Sequence, residues 1–154
     1  MSAGALQTSP THLVERFYNE GWNRAVEHVA REILHADFGF RGSLGSESRG
    51  PEGFIAYMRL IHAALSGYTC TIQEIVEQGT RAAVRLRFAG KHQGVFFGVP
   101  ATGRQIDWPG AAFFETAEGQ ITQLWVLGDV DAVKGQLGLH GGLDAAPSDQ
   151  RSTR

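Results

Sequence analysis

The sequence predicts an α+β domain in which N-terminal helices cover one face of a long, curved antiparallel sheet, so that sheet and helices close into a cone. Two observations carry this expectation. Apolar residues recur at helical spacing as far as Leu65, and from Tyr68 onward they alternate with polar ones at a period of two. Helices first and then a meander is the α+β order. With 154 residues, 42% apolar and 19% charged, the chain is long enough for one real core. Cys70, the sole cysteine, allows neither an internal disulfide nor a thiolate metal site. A formal net charge of −2 leaves no basic footprint for nucleic acid or an anionic membrane. No stretch approaches the ~20 apolar residues of a membrane span, and the first residues lack the pattern of a signal peptide, so the expected compartment is the cytoplasm. Residues 1–9 are expected to be a flexible N-terminus, 10–142 a single domain, and 143–154, where the apolar pattern ends, a disordered tail.

Each element has its own signal. Ser9-Pro10 is a helix start, and Leu13, Val14, Phe17 and Tyr18 then fall on one helical face, predicting a helix from Pro10 to about Trp22. Val26, Val29, Ala30 and Ile33 predict a second helix that ends before His35, followed by a short strand from Phe38 to Arg41. Ser43 to Arg49 reads as a loop. Gly50-Pro51-Glu52 opens a third helix with the face Phe54, Ile55, Met58, Ile61 and Leu65. Strands are expected over Thr69–Gln78, Arg81–His92, about Gln105–Glu115 and about Gln120–Gly128, with a tight turn at Glu118-Gly119. A short helix, Val130 to Gln136, closes the domain.

Alternation assigns the faces. Val84, Leu86, Phe88 and His92 share one parity and should face inward, while Arg81, Arg85, Arg87 and Lys91 form the wet face. Ile106, Trp108, Gly110, Ala112 and Phe114 should point in from the next strand, and Ile121, Gln123, Trp125, Leu127 and Asp129 from the last. Unless a bulge reverses that series, a carboxylate points into an apolar cavity, where desolvation raises its pKa toward the range of a reversible proton carrier. The alternative is that Asp129 is the N-cap of the final helix, and the pattern alone favours the cap. His92 is the one histidine expected inside the sheet, where such a residue is more often a hydrogen-bonded core side chain than a catalytic one. His12, His28, His35, His62 and His140 form no pair with metal-ligand spacing, so no metal is expected. Asn23 either ends the first helix or reaches the cavity mouth, with capping favoured. Trp108 and Trp125 would wall a cavity for a ring-shaped ligand, or simply pack across strands. Phosphate loops and nucleophile elbows are missing from the sequence.

Four stretches carry a resemblance: Phe17-Tyr18-Asn19-Glu20-Gly21-Trp22-Asn23, Arg49-Gly50-Pro51-Glu52-Gly53-Phe54, the run from Gly90-Lys91-His92 through Thr102-Gly103-Arg104, and Glu118-Gly119-Gln120-Ile121 through Trp125, Asp129 and Gln136-Leu137-Gly138. Collinear over about Thr11 to Gly138, they resemble the SnoaL-like polyketide cyclases, or ester cyclases. The resemblance implies the nuclear-transport-factor-2-like conical barrel, association as a homodimer or homotetramer, and ring closure by intramolecular aldol reaction without metal or organic cofactor. It carries the family's acid/base aspartate onto Asp129, against the cap preference. It also implies a small hydrophobic ring compound as substrate; Phe17, Asn23, Phe88, Trp108, Trp125 and Leu127 are the expected contacts. One departure stands out. The supporting histidine of the preceding strand is missing, since Phe113 to Thr116 offers only Glu115 on the wrong parity, and Leu124 stands where many relatives have histidine. His92 is the expected substitute. Ketosteroid-type isomerisation, a hydroxylation-related role and non-catalytic binding of a hydrophobic ring remain the alternatives.

Overall fold

The computed structural model describes residues 9–139; the expected flexible N-terminus up to residue 8, the tail and His140 lie outside the described residues. The elements run α1 (Pro10–Glu15), continued by a π-helical segment (Arg16–Trp22), then α2 (Glu27–Ile33), β1 (Leu34–Arg41), β2 (Glu47–Arg49), α3 (Gly50–Ala64), β3 (Leu65–Gln78), β4 (Arg81–His92), β5 (Gln105–Ala117), β6 (Gln120–Gly128) and α4 (Val130–Gln136). The six strands form one open sheet in the order β2-β1-β6-β5-β4-β3. All neighbours are antiparallel except β1 and β6, which run parallel, so the sheet is mixed rather than purely antiparallel. A parallel pair follows from topology, because β1 leaves α2 and meets the last strand only after the chain has crossed through α3 and the meander.

The helices form where capping and stripe agree. Ser9 Oγ accepts from the His12 N–H at 3.1 Å and Pro10 occupies the first turn. The expected faces Leu13, Val14, Phe17 and Tyr18 on one helix, and Phe54, Ile55, Met58 and Ile61 on α3, are all buried. They meet as an aromatic cluster. Phe17 lies 4.9 Å from Phe54 and 5.7 Å, edge to face, from Phe114 of β5, and Phe54 lies 5.4 Å from Phe40 of β1. Edge-to-face pairs add about 0.5–1.5 kcal/mol each beyond the area they bury. The first helix widens after Arg16, with the Asn23 N–H reaching back to the Tyr18 carbonyl at 2.9 Å. Such five-residue closures are rare and occur as single wide turns, and the helical stripe in the sequence is blind to them.

Two strands start earlier than expected, β1 at Leu34 and β3 at Leu65, and the expected loop contains β2, which pairs with Gly39–Arg41. The larger correction concerns β6. Thr116 pairs with Ile121 but Glu115 pairs with Gln123, which leaves Thr122 as an extra residue. Its hydroxyl donates to the Glu115 carbonyl at 3.1 Å and holds the bulge. Every residue after it changes face. Ile121, Leu124 and Val126 are buried, whereas Trp125 and Leu127 are 46% and 50% exposed on the outer face. Gly39, opposite Gln123, accepts this register because it has no side chain; a Cβ there would lie 2.6 Å from Gln123 Oε1.

Asn23 ends the π-helical segment as expected, its N–H closing onto the Tyr18 carbonyl, but its side chain does not do the capping. Its Nδ2 donates to the Cys70 carbonyl at 2.9 Å and its Oδ1 accepts from the Cys70 N–H at 2.7 Å, pairing with β3 as a strand residue would. Replacing Asn23 with Ala leaves both backbone groups unpaired, and thermal unfolding should show a loss of roughly 1–3 kcal/mol; unchanged stability would show that water replaces the amide.

Candidate active site

The strands assemble an interior wall from their inward parity. On β4, Ala82, Val84, Leu86, Phe88 and His92 are buried; on β5, Ile106, Trp108, Ala112 and Phe114 are buried, both as the alternation predicts. The basic series is on the other face, where Arg81 pairs with Glu115 at 2.7 Å, Arg85 with Glu74 at 3.2 Å, and Arg87 with Asp107. These pairs are largely exposed and contribute little to stability. Of the expected substrate contacts, Phe17, Phe88 and Trp108 therefore face the interior, and Asn23, Trp125 and Leu127 do not.

Trp108 is completely buried among the rings of Tyr68, Phe88 and Phe96, with centroids 6.2, 5.4 and 6.4 Å away. Its Nε1–H has no acceptor among the described residues, and the buried Tyr18 hydroxyl is likewise unpartnered. An orphaned buried donor costs about 1–3 kcal/mol. Gly128 lies directly against the indole: a Cβ built on it would come within 2.8 Å of Trp108 Nε1 and 2.8 Å of the Ser43 carbonyl. The Gly128 N–H donates to that same carbonyl at 3.1 Å, and the Asp129 N–H donates to the Pro109 carbonyl at 3.0 Å. These bonds pin the junction between β6 and α4 beside the indole nitrogen.

Asp129 is exposed at that junction. Its Oδ1 accepts from the Ala132 N–H at 3.0 Å, so it caps α4. The expected enclosed pocket, with Asp129, Trp108 and Trp125 on one side of the sheet, is thus corrected: the Thr122 bulge separates the two tryptophans onto opposite faces and the carboxylate stands at the rim. Among the described residues the buried polar side chains are Ser43, His92 and Thr116, and none is an acid.

His92 is buried as expected but is occupied. Its Nδ1 lies 2.9 Å from Thr102 Oγ1 and 3.3 Å from the Thr102 N–H, and its Nε2 lies 3.1 Å from the Val99 carbonyl. An amide N–H at Nδ1 and a carbonyl at Nε2 assign the neutral ring with its proton on Nε2. Both nitrogens fasten the connection 93–104, whose tip turns at Phe97 and Gly98 with positive φ and carries Phe96 onto Trp108. His92 therefore closes a loop over the wall instead of meeting a ligand.

The hydroxyls of Tyr18, Tyr57 and Tyr68 and the Cys70 thiol were missed in the sequence, although Tyr68 and Cys70 share a parity at the start of β3. Burial raises the Tyr57 phenol from 10.0 to about 12 and pushes Tyr18 and Tyr68 well above the ordinary range, with Cys70 a smaller cause for each. Burial raises the Cys70 thiol as well. The interior is thus neutral and rich in weak donors. No group of three or more His, Cys, Asp or Glu that could hold a metal lies together, and no helix is long and apolar enough to cross a membrane, among the described residues.

The sequence profile of the SnoaL-like polyketide cyclases matches residues 12–137. Aklanonic acid methyl ester cyclase DnrD of Streptomyces peucetius is 29% identical over 106 residues, covering 66% of this chain and 72% of that one. A solved structure from Jannaschia sp. CCS1, described as a SnoaL-like polyketide cyclase, superposes with a TM-score of 0.77 at 24% identity, covering 88% of this chain and 94% of that one. TsrD from Streptomyces laurentii superposes with a TM-score of 0.75 at 25% identity, covering 84% and 95%.

Two measurements check this geometry. The four raised groups ionise near pH ~8.5–10 once unfolded. Their stabilising contribution is complete below that range and is lost as pH rises through the folded values, so the melting temperature should fall from about pH 9 upward, with tyrosinate absorbance appearing only at unfolding. Tyrosinate absorbance without unfolding would contradict the burial. Gly128→Ala should destabilise by roughly 1–3 kcal/mol through overpacking against Trp108 and Ser43; wild-type stability would mean the junction has room.

Proposed function

Because the chain belongs to the SnoaL-like polyketide cyclase family, we propose that it closes a ring in a hydrophobic, carbonyl-rich polyketide by an intramolecular aldol reaction in the cytoplasm, with Asp129 as the acid/base group. The observation that supports this reading is the junction itself: a carboxylate pinned by backbone hydrogen bonds at the end of β6, beside an aromatic wall that holds no acid of its own.

The chemistry requires little else. A carbon flanked by carbonyls is acidic enough for a carboxylate to deprotonate. Asp129 takes that proton, the enolate carbon attacks a second carbonyl of the same molecule to form the new carbon–carbon bond, and the resulting alkoxide recovers the proton from Asp129. Atoms balance without a metal or an organic cofactor. The wall of Phe17, Phe88 and Trp108 folds the flexible substrate so that the two carbons approach, an effect worth up to ~7–11 kcal/mol in intramolecular reactions. An exposed carboxylate serves here because the bound substrate covers it and displaces its water.

The outer face of the sheet supports association with a second copy. Phe113 and Trp125, 6.0 Å apart and both about half exposed, line a groove of about 340 Å³ together with Val76, Ala83 and the Arg81–Glu115 pair. A two-fold partner brings an identical apolar groove and sets the acid of each copy against the base of the other. Sedimentation should show a dimer for the native chain and a monomer for Trp125→Glu; a native monomer at micromolar concentration would contradict this.

The decisive substitution for the reaction is Asp129→Asn. Asparagine caps a helix as well as aspartate does, so α4 and thermal stability should be unchanged while ring closure of a tricyclic polyketide ester falls by ~10²–10⁴-fold. Full turnover in this variant would reduce Asp129 to a cap and favour a binding role.

A further inference from the structure

We infer that Trp108 is a catalytic residue: its Nε1–H donates a hydrogen bond to the substrate carbonyl oxygen that becomes negatively charged when Asp129 removes the proton. This assignment rests on the cyclase reading and supplies the oxyanion donor that His92, with both nitrogens occupied, does not.

Three observations converge on the indole nitrogen. It is a fully buried donor without an acceptor among the described residues, one of three such side-chain atoms together with the Tyr18 and Ser48 hydroxyls. It lies against the residue next to the proposed base, since a Cβ on Gly128 would come within 2.8 Å of it. Glycine at that position removes the side chain that would otherwise cover the N–H. The third observation is rigidity. Rings on three sides, Tyr68, Phe88 and Phe96, hold the indole plane, so the donor needs no reorganisation when charge develops. The neighbourhood is polar: the Ser43 hydroxyl and the Leu44 amide lie beside the Tyr57 phenol at the same end of the interior, with the Arg41 guanidinium close enough to act on that phenol.

The indole is far too weak an acid to give up its proton, so its part is a hydrogen bond that strengthens as the enolate forms. The proton shuttles on Asp129 alone. A neutral donor of this kind binds a ketone, ester or quinone oxygen and has nothing to offer a plain hydrocarbon ring, which makes the substrate class one in which a carbonyl projects from the ring toward β6.

The test uses the full chain with nitrogen-15 in its tryptophan indoles and two probes that differ only in their carbonyls, 2-(hydroxymethyl)anthraquinone and 2-(hydroxymethyl)anthracene. Trp108→Phe identifies the Trp108 signal by its loss. The quinone should move the Trp108 indole proton downfield while the hydrocarbon does not, and the Trp125 signal should stay in place with both. An unmoved Trp108 signal, the same shift from both probes, or no binding of the quinone overturns the assignment. In turnover, Trp108→Phe should lower kcat by roughly 10²-fold with KM nearly unchanged, as expected for a donor used mainly in the transition state. Wild-type kcat in Trp108→Phe alongside a failing Asp129→Asn removes Trp108 and leaves the cyclase reading standing. Full turnover in Asp129→Asn removes that reading, whatever the indole signal does.

Discussion

One extra residue in β6 governs the chemistry available to this fold. Thr122 has no partner of its own on β5, and the strand beyond it is turned over relative to the strand before it. A side-chain period of two makes this shift absolute: every later residue changes face. Leu124 and Val126 enter the core, Trp125 and Leu127 leave it, and the strand arrives at Gly128 with its backbone against the Trp108 indole. The partner strands adapt to the bulge. Gly39 makes room for the Gln123 side chain, and the pairing of β1 with β6 slips between Leu34 and Gly39.

The result is a division of labour between a neutral interior and a charged rim. Burying a carboxylate in the aromatic wall would require strong compensation, whereas tyrosine hydroxyls and an indole N–H are far cheaper to place there. The acid stands outside, tied to the wall through the Ser43 and Pro109 carbonyls that fix Gly128 and Asp129. Gly128, whose backbone lies against the Trp108 indole, immediately precedes Asp129.

Much of the fold was legible because the signals were local. Ser9-Pro10, the α3 stripe and the β4 and β5 alternation each depend on a few neighbouring residues, and each is found where the periodicity places it. The arrangement of the SnoaL-like polyketide cyclase family was legible through the resemblance of its motifs. The π-helical turn was not, because a widened turn keeps the same residues on the buried face. The parity of β6 was misread for a related reason. Thr122 is an ordinary strand residue by type, and only its pairing with Glu115 and Thr116 reveals that it is surplus. His92 was placed correctly in the interior, yet its role depended on Val99 and Thr102 folding back onto it, which spacing along the chain does not express. Asp129 shows both readings of one residue, since the structure displays the cap and the family resemblance supports the base.

The account turns on proton removal by Asp129, and hydrogen–deuterium exchange at the acidic carbon measures that step without the bond-forming one. A polyketide ester lacking the carbonyl that accepts the new bond leaves the enzyme nothing to close. In deuterated buffer the native chain should exchange the proton of the carbon between two carbonyls far faster than buffer alone, and Asp129→Asn should exchange it at the buffer rate. Equal exchange in the native chain and the variant, or none in either while the native chain still closes complete substrates, would contradict the central claim.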